Sequence, residues 1–277
     1  MVVLVTGASG QLGQALQSVA EKYSGIRFYF AGSGEADITN KKQLSEIFTD
    51  QKPDFCINAA AYTAVDKAES EPEKAHLINT TGAQNLAETC KDFGTTLIHI
   101  STDFVFDGNK TAPYNESDDT NPQGVYAKTK LDGEQAITQI LKQYFIIRTS
   151  WVYSQFGNNF MKTMLRLSKE RDSISVVDDQ VGTPTSAVDL AEAVIAIILS
   201  GSDAYGIYHF SNEGQTSWYG FAKEIFGANN VTIDLHAIPT TAFPTPAKRP
   251  KYSVMDKSKI KKTFGLEINT WQESLKK

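Results

Sequence analysis

The chain has 277 residues, of which 41% are hydrophobic and 21% charged. That is enough apolar material for one large domain, or a large one with a smaller lobe, and it argues against a disordered chain. A formal net charge of −5 excludes a global attraction to nucleic acid or to an anionic membrane, so any phosphate has to be held by local groups.

The first residues, Met1-Val2-Val3-Leu4-Val5, lack a basic segment and a long apolar run and read as a strand, not a signal peptide. The longest apolar stretch, 193–199, is far too short to span a membrane. The two cysteines, Cys56 and Cys90, read as buried thiols of a reducing compartment. The four histidines are scattered, with no metal-ligand cluster. The expectation is a cytoplasmic protein with no metal, no nucleic-acid partner and no membrane association.

In chain order, short apolar strands are predicted at 2–5, 27–31, 55–58, 97–100 and 145–147. Helical stretches lie between them at 12–22, 41–50, 71–93 and 126–143. Strand and helix in strict alternation, with strands apolar on both faces, predict an α/β fold with a doubly wound, Rossmann-like parallel sheet. After Thr149 the pattern is mixed. An amphipathic helix at 160–169, a strand at 174–177, an apolar helix at 188–199, a strand at 207–210, a helix at 218–226 and a Pro-rich stretch at 239–250 follow. The reading is a dinucleotide-binding domain over 1–150 and a smaller mixed α/β lobe, mainly substrate-binding, over 151–277. No flexible linker separates the two, so the boundary is loose and the lobes interleave.

Strand one runs into Thr6-Gly7-Ala8-Ser9-Gly10-Gln11-Leu12-Gly13. Glycines at this spacing permit a tight turn and close approach of backbone to a pyrophosphate, and the helix that follows offers free N–H groups and a positive dipole end. The position, at the first strand–helix junction of an alternating chain, is the context such a motif requires. Asp37-Ile38 suits either the flank of an adenine or, through Asp37 or Thr39, the cap of the next helix. Strand two ends Phe30-Ala31-Gly32 without the acid that usually binds a ribose 2′-hydroxyl, and Ser33 could donate to a 2′-phosphate. This tilts the cofactor toward NADPH and leaves NADH open. The small residues of Asn58-Ala59-Ala60-Ala61, after strand three, let a cofactor lie against the sheet edge or simply make a buried turn.

Tyr126 and Lys130 stand at i and i+4, on one helix face. An ammonium there is expected to lower the phenol's pKa and make Tyr126 the general acid of a carbonyl reduction. Thr102, at the end of strand four, has a hydroxyl on the same sheet edge that can hold a substrate carbonyl, or cap the loop that follows.

The segments T-G-A-S-G-Q-L-G, N-A-A-A-Y-T-A-V-D-K-A-E, S-T-D-F-V-F-D-G and Y-A-K-T-K together resemble the extended short-chain dehydrogenases/reductases. R-T-S-W-V-Y, G-N-N-F-M-K-T-M-L-R-L, D-Q-V-G-T-P-T and P-T-P-A-K-R-P narrow the resemblance to the dTDP-4-dehydrorhamnose reductase family, over nearly the whole chain. The resemblance implies reduction of the C4 keto group of a nucleotide-linked 6-deoxy sugar by NAD(P)H. It implies Tyr126 as proton donor, Lys130 as its partner and ribose anchor, and Thr102 as a substrate contact. Gly10, Gln11 and Leu12, with Gly7 and Gly13 shaping the turn, would meet the pyrophosphate. Asp37 and Ile38 would lie by the adenine, and Ala61, Tyr62 and Thr63 would line the cofactor cleft. Asp103 and Trp151 would touch the sugar. Asn158 and Asn159 could reach the nucleotide diphosphate, although Asn158 equally suits a helix cap. Arg249 could pair a phosphate or be a solvated surface charge. A homodimer is left open, because little chain follows Trp271 to carry a further helix.

Two rival functions are weighed. Dehydratases of this scaffold carry a glutamate after the Thr-Asp pair, where this chain has Phe104, which cannot transfer a proton. An epimerase is excluded less firmly. A non-catalytic regulatory subunit of the same scaffold would not need Thr102, Tyr126 and Lys130 together.

Overall fold

The computed structural model describes residues 1–277. Its centre is a six-stranded sheet. The strands are β1 (Val2–Thr6), β2 (Arg27–Ala31), β3 (Phe55–Asn58), β4 (Thr96–Thr102) and β5 (Tyr144–Thr149), with a sixth from the second half of the chain. Ser173–Val177 is β6 and Gly206–His209 is β7. In space the order is β7-β5-β4-β3-β1-β2, every pair parallel. The doubly wound sheet predicted from the alternation is therefore present. Its central strands are closed on both faces, which explains why they read as unbroken apolar runs.

Successive side chains leave a strand on opposite sides, and β1 shows the consequence. Val3 and Val5 enter one core with Leu12, Leu16 and Val19 of α1 (Gln11–Ala20) and Leu190, Val194 and Ile198 of the helix Ala187–Leu199. Leu4 enters the other core, with Leu44 and Phe48 of α2 (Lys41–Gln51), Leu86 and Cys90 of α3 (Gly82–Phe93) and Ile137 of α4 (Val125–Ile140). Cys56 and Cys90 are both buried free thiols in this second core.

The smaller part centres on α5 (Phe160–Leu167), α6 (Ala187–Leu199), α7 (Trp218–Ala228) and a parallel pair, β6 with β8 (Asp234–Ile238). Of these, α6 packs on α1, and β7 completes the main sheet, so the chain returns to the first layer after leaving it. A separate cluster of Tyr153, Met164, Ile174, Val176, Phe221, Ile225 and Trp271 forms the small core. No helix is long and apolar enough to cross a membrane.

One predicted helix differs. Where the sequence predicts a single helix over 71–93, the chain makes Pro72–His76, a π turn at Leu77–Thr81 and then α3. The inserted residue turns Asn79 inward, and its side chain is 2% exposed. Its Oδ1 accepts from Tyr62 N, and its Nδ2 donates to Tyr62 O and Thr129 Oγ1. The π turn thereby fastens the loop after β3 to α4, as π bulges commonly do beside functional sites. The helices meet closely: a Cβ on Gly133 would stand 2.3 Å from the Asn79 carbonyl oxygen. We predict that Gly133→Ala lowers stability by about 1–3 kcal/mol through overpacking, although alanine favours a helix by about 1 kcal/mol. Urea unfolding measures this, and an unchanged or higher midpoint would show that the two helices can separate freely.

Candidate active site

A cleft of about 660 Å³ opens at the carboxyl ends of β1, β3, β4 and β5, the edge where open α/β sheets bind ligands. Gly10, Gln11 and Leu12 form its floor. Gly7 has φ +68°, and a Cβ there would stand 2.5 Å from Ala60 N, so only glycine fits the turn. Gly13 packs against the carbonyl of Gly7, where a Cβ would come within 2.4 Å. No side chain caps α1, and Gln14 N donates to Gly10 O. The N–H groups of Gln11, Leu12 and Gly13 are thus left without intrahelical acceptors, at the positive end of the helix. Two buried hydroxyls of the cleft wall, Ser101 Oγ and Thr149 Oγ1, also have no partner within the chain. Uncapped N–H groups for a pyrophosphate and unpaired hydroxyls deeper in the wall fit a bound dinucleotide.

The helix α4 brings Tyr126 and Lys130 to this cleft. Its N-cap, Gly124, supplies no side chain. Glu69 Oε1 replaces it by accepting from Val125 N at 2.8 Å. Glu69 therefore sets where the catalytic helix begins, a role that sequence spacing does not reveal. Lys130 is 2% exposed. Its Nζ donates to Ile100 O at 2.6 Å and lies 3.3 Å from His99 Nε2. Burial pushes its pKa down to about 8, against the opposing pull of Glu134.

Burial pushes Tyr126 up to about 12, while the Thr102 hydroxyl beside it acts the other way and Asp103 adds to the rise. This corrects the expectation that Lys130 lowers the phenol's pKa. The amine is bound to β4 rather than to the phenol, and desolvation dominates. A phenol this weakly acidic stays protonated at neutral pH, the form a proton donor needs. The ring of Phe104 meets Tyr126 edge-on at 5.8 Å.

Thr102 Oγ1 donates to Asp103 Oδ1 at 3.1 Å and accepts from Phe104 N at 3.2 Å. To donate to a substrate oxygen, its proton has to turn away from Asp103. Asp103 lines the cleft, is 2% exposed and leaves Oδ2 without a partner. Burial raises its pKa to about 6, with Ser253 and Thr102 opposing.

The aromatic wall contains a residue not singled out as a ligand contact. Trp218, the first residue of α7, stacks on Trp151 with ring centroids 3.5 Å apart. Trp151 holds φ +45°, a strained conformation for a non-glycine residue, and Gly182 lies against its indole. Only the fold brings Trp218 here, since 66 intervening residues separate it from Trp151 without any periodic pattern.

Asn159 lines the cleft but is heavily engaged. Its Oδ1 accepts from Lys162 N, so Asn159, and not Asn158, caps α5. Its Nδ2 donates to Gln11 Oε1 and Ser154 O, which ties the glycine turn to the second half of the chain. Arg249 also lines the cleft. Its guanidinium pairs with both oxygens of Asp66 and holds that carboxyl below the usual range. Arg249 is therefore neither unpaired nor simply solvated.

Ala61 and Thr63 line the cleft. Tyr62 between them turns away, its hydroxyl donating to Glu71. Asp37 and Ile38 stand outside the cleft wall. Asp37 Oδ1 accepts from the N–H and hydroxyl of Thr39, and Ile38 is buried in the core beside α3. Asn40, not Asp37 or Thr39, caps α2. Ser33 is exposed, and Glu35 Oε2 accepts from Gly32 N.

The buried Asp103 carboxyl carries a testable consequence. Unfolded, it titrates near 3.8, and folded near 6. The folded chain binds the proton more tightly, so this group's contribution is full below about pH 4 and is lost as pH rises through 6. Asp103→Asn is expected to gain stability relative to the parent by on the order of 2 kcal/mol at pH 8. That gain should vanish near pH 4, as read by urea unfolding at both pH values. A pH-independent difference would show that the carboxyl is not destabilising the fold.

The model of the family described as RmlD substrate binding domain matches residues 1–277. The dTDP-4-dehydrorhamnose reductase of Aggregatibacter actinomycetemcomitans is 42% identical over 285 residues, 99% of this chain and 97% of that protein. A crystal structure of a dTDP-4-dehydrorhamnose reductase from Clostridium acetobutylicum has a TM-score of 0.95 at 42% identity, covering 100% of this chain and 97% of that one. The dTDP-4-dehydrorhamnose reductase of Bacillus anthracis, solved in complex with NADP, has a TM-score of 0.93 at 40% identity, covering 99% and 96%. With the family match running from end to end of a fold whose cleft holds the expected threonine, tyrosine and lysine, the chain belongs to the RmlD substrate binding domain family.

Proposed function

We propose that this protein reduces the C4 keto group of dTDP-4-dehydro-L-rhamnose to give dTDP-L-rhamnose, with NADPH as the reductant. The observation that carries the reading is one cleft holding Thr102, Tyr126 and Lys130 beside an uncapped helix N-terminus. Full-length relatives named for this reaction support it, as does the NADP bound by the Bacillus anthracis protein.

NADPH would sit with its pyrophosphate at Gln11 to Gly13 and supply the hydride. The chain's own residues handle the oxygen and the proton. As negative charge grows on the carbonyl oxygen, Tyr126 gives it a proton and Thr102 holds it in line. Lys130 would hold the nicotinamide ribose and supply the proton that restores the phenol. The stacked Trp151 and Trp218 offer the sugar an aromatic wall, and Asp103 receives one of its hydroxyls. Asn158 and Arg249 stand where the nucleotide diphosphate enters, and the lobe formed mainly by 151–277 holds that nucleotide. Two free buried thiols suit a cytoplasmic setting.

The experiment is a spectrophotometric assay of nicotinamide oxidation with dTDP-4-dehydro-L-rhamnose. NADPH is expected to serve at least as well as NADH, because β2 ends in Ala31 with no carboxylate of its own. Tyr126→Phe keeps the ring but removes the acid, so turnover should fall roughly 100-fold or more while binding survives. Lys130→Met should harm both turnover and cofactor affinity. Near-parental turnover by Tyr126→Phe would place the proton donor elsewhere.

A further inference from the structure

The side chain that faces Lys130 from the sheet is His99, in the middle of β4 and 1% exposed. Its surroundings fix its protonation. Asn58 Oδ1 accepts from the backbone N–H of Ala60 at 3.1 Å and from Thr6 Oγ1 at 2.9 Å. A backbone N–H only donates, so the Asn58 amide has its oxygen there and its nitrogen at the opposite corner. That nitrogen lies 3.0 Å from His99 Nδ1. An amide nitrogen also only donates, so His99 Nδ1 is the accepting, unprotonated nitrogen. Burial, and the charge of Lys130, hold the imidazole well below its ordinary pKa. The ring is neutral, and its one proton is on Nε2, 3.3 Å from Lys130 Nζ.

We propose that His99, oriented by Asn58, is a positioning residue for Lys130, its Nε2–H donating to the lone pair of the amine and favouring that amine over the ammonium. The inference rests on the reductase reading for its chemical use. After Tyr126 has protonated the sugar oxygen, the phenolate needs a proton. Lys130 does not touch the phenol, so a water relays the proton: a Lys130 N–H bond breaks, the water takes that proton and gives one of its own to Tyr126, where an O–H bond forms, and the electron pair left on Nζ is received by His99 Nε2–H. Water then returns the proton to Lys130. An ammonium near pKa 8 gives its proton downhill to a phenolate near 12. The other titratable groups about Lys130 are Glu134, one turn along α4 and gripped by Arg148 of β5, and Tyr126, one turn back beside Asp103. Glu134 opposes His99 by favouring the ammonium.

The test is nuclear magnetic resonance of the intact chain labelled with nitrogen-15 in its imidazole rings, with the His99 signals assigned by His99→Gln. Across pH 6–9 the parent should show a neutral ring with the proton on Nε2. Asn58→Asp keeps an acceptor for Ala60 N–H but offers His99 Nδ1 an acceptor instead of a donor. The ring proton should move to Nδ1, leaving Nε2 to accept from Lys130. Lys130 should then titrate about one pH unit higher, read from its own Cε shift. The basic limb of the kcat profile on the keto sugar should move up by the same amount. His99→Gln places an amide donor near the Nε2 position and should leave that limb within about 0.3 pH units of the parent. A parental ring that is charged or protonated on Nδ1 would overturn the proposal. So would an unmoved Lys130 titration once the tautomer has flipped. These resonances report without turnover, so a chain inactive on the sugar would refute the reductase reading while His99 is still decided.

Discussion

A nearly enclosed lysine amine is the constraint around which the centre of this fold is organised. Lys130 meets solvent only where it lines the cleft, and a buried amine without partners is unstable in either protonation state. The chain answers from three directions. The carbonyl of Ile100 accepts from it, His99 faces it from β4, and Glu134 lies one turn along the helix. Each answer has its own support. His99 is held by Asn58, which is held by Thr6 and Ala60, so the network crosses from β4 through β3 to β1 in register. Glu134 is held by Arg148, with both side chains 3% exposed or less. A polar chain thus runs across the middle strands of the sheet, and it ends at the amine of Lys130.

The same logic places the catalytic helix. Its start is fixed by Glu69, 56 residues away, and its middle by Asn79 and Thr80, which bond to Thr129. These contacts come from the segment between β3 and α3, the segment that also lines the cofactor side of the cleft. Helix, cleft wall and glycine turn are therefore one connected body. The second half of the chain is tied to it at Gln11, which accepts from Asn159 and Ser154, and at Asp66, which pairs with Arg249. Each tie has a residue that lines the cleft, Gln11 in one and Arg249 in the other, so a bound nucleotide would lie between the parts they join.

Much of this was legible in the sequence, and the exceptions have physical causes. The first-half strands were found because parallel strands closed on both faces leave apolar runs that need no partner to be recognised. The glycine turn and the Tyr126–Lys130 pair were legible because their geometry is local, set by one turn and one helix. The break in the helix over 71–93 was not, since a π turn changes only one residue's worth of register, and the glycine that follows it, Gly82, equally suits an unbroken helix packed closely on Ile38. Trp218, Glu69 and His99 were silent for a related reason: each acts on a residue far away in sequence, and only the fold supplies the distance. The sign of the Tyr126 shift was misjudged because spacing gives neither burial nor the partner of the amine: the phenol is desolvated, and Lys130 bonds to Ile100 instead. Asn159 and Arg249 line the cleft, yet their bonds to Gln11 and Asp66 depend on how the two parts of the chain meet.

Several unfavourable features of the molecule line the cleft, while Arg148, Thr185, His209 and Trp271 carry unpartnered buried atoms away from it. Trp151 holds a strained backbone, Asp103 is a buried carboxyl with an unpaired oxygen, and Ser101 and Thr149 carry buried hydroxyls with no partner. Each opposes folding, and a chain free of functional demands would relax them: a glycine at the turn, an amide or apolar residue at 103, alanine and valine on the strand ends. Asn58 with His99 shows the alternative, a buried polar pair that satisfies itself. The open oxygen of Asp103 and the hydroxyls of Ser101 and Thr149 face the cleft, where a sugar and a nicotinamide would supply partners, so the cost of leaving them unpaired would be recovered as binding energy.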